Sequence, residues 1–98
     1  MLKRIDRKFD ITASATTKKR KYDSTNSILF LAKDKALPSM LRHYQRTLIK
    51  LEADERQIKS IDLLIERVIK FQNENPEKIK VADVAKGKEE KLVNAPND

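Results

Sequence analysis

Between Asp54 and Pro76, Ile58, Ile61, Leu64, Ile65, Val68 and Phe71 recur at spacings of three and four, with Gln72 on the same stripe. This pattern predicts an amphipathic helix over 55–74. Lys59, Asp62, Glu66, Lys70 and Glu74 fall on its polar face. Asp54 suits an N-cap, Gln57 stands where a capping-box exchange would be completed, and Glu55 favours the positive end of the helix dipole. Asn75 before Pro76 supplies the stop. Upstream, Leu37, Leu41, Tyr44, Leu48 and Leu51 mark a second apolar face, widened by Met40 and Ile49. Proline is tolerated only in a first turn, so Pro38 sets the start of a helix over about 38–52. The short link at Glu52–Asp54 then forces an antiparallel helix pair.

Two shorter stretches have the look of strands. Lys8 to Thr12 alternates polar and apolar residues, with Phe9 and Ile11 on one side, and Ser27 to Ala32 is a compact apolar run. They are expected to pair across a loop over 13–26, rich in Ser, Thr, Asp and Asn and read as mobile. Ile79 and Val81 alternate with Lys78 and Lys80, which suggests a third strand over 78–82. The expected fold class is α+β: the helix pair with a small two- or three-stranded β element over 8–12, 27–32 and, in the larger version, 78–82. An all-helical fold is the alternative if those runs are not strands. Residues 1–84 read as one small domain and 85–98 as a loose charged tail.

Composition narrows the picture. With 39% apolar residues and five aromatics in 98, the core is small, and self-association would add useful burial. Leu63 and Ile69 broaden the apolar face of the second helix, which suits either a wide core face or an interface between copies of the chain. No cysteine is present, so disulfide and thiolate chemistry are excluded. No apolar run approaches the length of a membrane span. The chain is expected to be soluble and intracellular.

The net charge of +7 is unevenly placed. Residues 1–50 hold 13 Lys and Arg against 4 Asp and Glu, whereas residues 51–98 hold 9 against 11. Such asymmetry favours an anionic partner. Its densest point is the run Lys18, Lys19, Arg20, Lys21, followed by Tyr22. Lysine and arginine there suit phosphate oxygens, and Tyr22 suits stacking on a base. A second basic stripe, Arg42, Arg46 and Lys50, follows helical i, i+4, i+8 spacing beside His43. Arg7 and Lys8 complete the candidate ligand-binding set. Each group has a plainer reading as solvated surface charge.

Catalysis is not expected. His43 is the only histidine, no Ser or Thr carries a nucleophile motif, and one glycine, Gly87, cannot build a phosphate-cradling loop. His43 with carboxylates shows no ligand spacing for a metal, so no metal or cofactor is expected. Tyr44, Phe9, Phe30 and Phe71 are expected in the core.

Three phrases, Arg7-Lys8-Phe9-Asp10-Ile11, Phe30-Leu31-Ala32-Lys33-Asp34, and Phe71-Gln72-Asn73-Glu74-Asn75-Pro76 followed by Lys80-Val81-Ala82-Asp83, stand in an order and spacing that resemble small, mostly uncharacterised proteins encoded by phages and prophages. The likeness covers most of residues 4–84. It implies a bacterial host cytoplasm and an accessory, non-catalytic phage role. The expected function is an oligomeric binder that sequesters an anionic ligand such as a nucleotide immune signal, an anti-defence activity. A small nucleic-acid-binding protein and an inhibitor of a host protein are the alternatives.

Overall fold

The computed structural model describes residues 4–81, and within them the chain divides into two units, residues 4–29 and residues 30–81. The sequence reading draws a single domain over 1–84. The tail over 85–98 lies outside the described residues.

The second unit is the helix pair, a small α+β chain's helical half as its periodicity predicts. Helix α1 runs Leu37–Lys50 and helix α2 runs Glu55–Glu74, and the two pack against each other. Asp54 caps α2: its carboxylate accepts the Arg56 amide at 2.8 Å, and the Arg56 guanidinium folds back on it at 3.1 and 3.2 Å. Arg56 thus meets the Asp54 carboxylate, where a Gln57 exchange is expected from sequence. Those bonds, led by the Arg56 side chain, hold the Asp54 carboxyl below its usual range. Ile61, Ile65 and Val68 form the buried stripe of α2, and Leu37 at the start of α1 completes the core.

α1 ends in a two-bond cap. The Glu52 amide donates to Ile49 carbonyl at 3.1 Å and the Ala53 amide to Leu48 carbonyl at 3.0 Å, with Glu52 in the left-handed region at φ 58°. This is the Schellman arrangement, which glycine favours because a Cβ crowds the backbone there. Glu52→Gly is expected to raise stability by about 0.5–1 kcal/mol, read as a higher midpoint in thermal unfolding; an unchanged or lower midpoint would show that the Glu52 side chain matters more than its backbone.

Two glutamines fasten this unit. Gln45 Nε2 donates from α1 to the Ile58 carbonyl at 2.9 Å and to Asp62 Oδ1 at 2.7 Å. Gln72 Nε2 donates to the Ala32 and Asp34 carbonyls at 3.0 and 2.8 Å, tying the loop before α1 to the last turns of α2. Gln45 therefore takes the inward position between the helices, and Tyr44 is exposed. Phe30 and Phe71 are likewise exposed, so the aromatics expected in the core lie largely outside it. Asn75 and Pro76 end α2, and Pro76–Lys78 forms a single 3-10 turn.

The first unit carries the sheet, two antiparallel strands, β1 at Thr12–Ser14 and β2 at Lys21–Asp23. The strands expected over 8–12 and 27–32 are displaced, and the reason is hydrogen bonding. Asp6 Oδ1 accepts the Lys8 and Phe9 amides at 2.8 and 2.7 Å. Ser24 Oγ donates to the Phe9 carbonyl at 2.8 Å and accepts the Ile11 amide at 2.7 Å. These side chains occupy the backbone groups a ladder over 8–11 would need, so β1 begins at Thr12. The 27–32 run is diverted in the same way: the Leu29 amide donates to Asp6 Oδ2 at 2.8 Å, and the Leu31 carbonyl accepts the Asp34 amide at 3.0 Å. The loop expected over 13–26 contains the hairpin itself. Of the third expected strand, over 78–82, the described part is one parallel bridge, Lys80 with Asp34.

Candidate functional site

The basic run stands on the hairpin. β1 and β2 pair Thr12 with Asp23, Ala13 with Tyr22 and Ser14 with Lys21, and the Ala15 amide continues the ladder to the Arg20 carbonyl at 3.0 Å. Thr16, Thr17, Lys18 and Lys19 form the tip, where the Arg20 amide donates to the Lys18 carbonyl at 2.8 Å. Three-residue strands alone would be marginal in water. This pair is anchored at its base, where the Ser24 carbonyl accepts the Ile5 and Asp6 amides at 2.7 and 3.1 Å, and both Asp6 and Ser24 are buried.

Residues Ser14 to Lys21 line an open concavity of about 530 Å³, which brings Ser14, Thr16 and Thr17 together with the four basic residues. A phosphate meets charge and hydroxyl donors there together, the combination that contacts a nucleic-acid backbone. The hydroxyl residues are absent from the sequence-derived candidates, because Ser and Thr in a polar stretch carry no signal until a turn gathers them.

The carboxylates of this unit are all occupied. Asp10 pairs with Arg4 at 2.7 Å. Asp23 accepts the Thr25 hydroxyl and, at 2.9 Å, the Thr25 amide; these bonds, the hydroxyl first, hold its carboxyl below the ordinary range. Asp6 is also held low, chiefly by the Leu29 amide, then by those of Phe9 and Lys8 and the charge of Arg4, against the opposing effect of burial. Among the described residues, no carboxylate pairs with Lys18, Lys19, Arg20 or Lys21. The hairpin tip is a concentrated, exposed positive charge.

Arg7 and Lys8 belong to the same unit, on the segment that leads to β1, and Lys8 Nζ lies 5.9 Å from the centre of the Phe9 ring. The remaining candidates lie in the other unit. Arg42 and Arg46, with Gln45 and Lys59, border an open groove of about 550 Å³ along the helix pair, floored by Leu63, Ile65 and Ile69. Asp62 and Glu66 line the same groove, so its charge is mixed. His43 is exposed on α1 and does not line it. The candidates thus form two groups, seven on the hairpin unit and three on α1.

No helix among the described residues is long and apolar enough to cross a membrane. Comparison with protein-family models, with curated proteins and with solved structures gives no match.

Proposed function

We propose that this protein is a non-enzymatic nucleic-acid-binding protein, an accessory protein of the phage type, that contacts the phosphate backbone through its basic hairpin. The observation that carries the reading is the set of four successive cations, Lys18 to Lys21, without carboxylate partners among the described residues and gathered with three hydroxyl side chains around one open concavity. An open, charged surface suits a polymer that presents many phosphates, because each contact releases counterions and the gains accumulate along the chain.

A second reading, capture of a single nucleotide, draws on the α1/α2 groove, where Arg42, Arg46 and Lys59 border an apolar floor. That arrangement suits one phosphate group and one base. Its acidic members, Asp62 and Glu66, weigh against a highly charged ligand. Competition separates the two readings. An oligonucleotide of about 12 nucleotides is expected to bind, and a mononucleotide at equal phosphate concentration is expected not to displace it. Displacement at equal phosphate concentration would overturn the polymer reading in favour of nucleotide capture.

A further inference from the structure

Resting on the nucleic-acid reading above, we infer that the hairpin takes a single strand, with a base stacked on the Tyr22 ring. The register places Tyr22 opposite Ala13, and the continuing ladder places Arg20 opposite Ala15. Side chains alternate along a strand and paired residues share a face, so Tyr22, Arg20, Ala13 and Ala15 stand on one face of the ribbon. Lys21 and Ser14 stand on the other, with Asp23 and Thr12 behind them.

The first face has the shape a base needs. The cross-strand neighbours of the ring and of the guanidinium are methyl groups, which leave the face low around them. Tyr22 remains 38% exposed, and its hydroxyl makes no hydrogen bond among the described residues. An aromatic ring tied into a core or a polar network would show neither feature. Arg20 lies two residues before Tyr22, just ahead of the strand where the Ala15 amide extends the ladder, about 7 Å along the extended chain, where its guanidinium reaches a phosphate next to a stacked base. Within a duplex both faces of each base are already stacked on neighbours. An exposed ring beside a cation therefore favours single strands, where base faces are open.

The test compares two ligands of equal charge: oligothymidylate of about 12 nucleotides and an abasic phosphodiester of the same length. The wild-type protein is expected to bind oligothymidylate about 5- to 100-fold more tightly than the abasic chain. Tyr22→Ala removes the difference and Tyr22→Phe keeps it. Because Tyr22→Ala can also disturb the hairpin, the Tyr44→Phe protein gives a second readout. Tyr22 is then its only tyrosine in a chain without tryptophan, and its fluorescence is expected to be quenched by oligothymidylate and unchanged by the abasic chain. Equal affinity for the two ligands with no selective quenching overturns the stacking inference and leaves backbone binding standing. Failure of both ligands to bind overturns the nucleic-acid reading itself, and the inference with it.

Discussion

Asp6→Ala is expected to unfold the hairpin unit while α1 and α2 remain formed. One carboxylate accepts three backbone amides, those of Lys8, Phe9 and Leu29, at 2.7 to 2.8 Å, and it is buried. Removing it leaves those donors without acceptors, at a cost of about 3–5 kcal/mol from typical values for hydrogen bonds to charged groups. That is comparable with the whole stability of many small domains. Asp6→Asn keeps one acceptor oxygen and is expected to cost about half as much, since it serves either the Lys8 and Phe9 amides or the Leu29 amide. Hydrogen exchange is the measurement: in Asp6→Ala the amides of Ile11 and the hairpin exchange as in an unfolded chain, and those of α1 and α2 exchange at wild-type rates.

The same carboxylate sets the response to acid. Its native pKa lies below the ordinary 3.8. A depressed carboxylate contributes stability above the unfolded-state value, and the contribution is lost as pH falls through the native value. Residues 4–29 are therefore expected to hold their structure from neutral pH down to about 4, and to loosen below it. Asp6→Asn removes that acid transition. An acid transition of the same size in Asp6→Asn would assign the effect to Asp23 instead, whose carboxyl is also held low.

The second large effect is on binding. Replacing Lys18, Lys19, Arg20 and Lys21 together with glutamine keeps polar side chains of similar length and removes the charges. Each phosphate contact to a single strand contributes about 0.7 to the salt exponent, so four contacts contribute about 3. Between 50 and 200 mM salt that exponent corresponds to an affinity change of roughly 50-fold. The fourfold variant is expected to lose on the order of 100-fold in affinity at low salt. Lys21 is the only one of the four within a strand, and all residues of both strands are exposed, so the fold should tolerate the change.

The helix pair is legible in the sequence because two independent signals agree there. Asp54 and Asn75 bracket a periodic stripe, and the buried residues Ile61, Ile65 and Val68 are members of it. The N-terminal unit is much less legible. Its organising residues, Asp6 and Ser24, are single polar side chains whose partners lie up to 23 positions away, and no periodicity announces them. Phe9, Ile11 and the Ile28–Phe30 run look like strands by composition, yet the Phe9 amide and carbonyl and the Ile11 and Leu29 amides are drawn into bonds with the Asp6 and Ser24 side chains. The true strands, Thr-Ala-Ser and Lys-Tyr-Asp, are exposed at every position. With no buried face they show no alternation of apolar and polar residues, the signal a strand reading depends on. As for the candidate site, the charge of the basic run is plain in the sequence, but its shape is not: a ladder closing at Ala15 and Arg20 brings Ser14, Thr16 and Thr17 to the cations.

The measurement that tests the central claim most directly is the salt dependence of oligonucleotide affinity, taken side by side for the wild-type protein and the variant with Lys18, Lys19, Arg20 and Lys21 replaced by glutamine. Binding through the hairpin predicts that the logarithm of affinity falls against the logarithm of salt with a slope of about −3 or steeper in the wild type, and that the variant loses about 3 units of that slope. Equal slopes in the two proteins would place the phosphate contacts elsewhere and contradict the account.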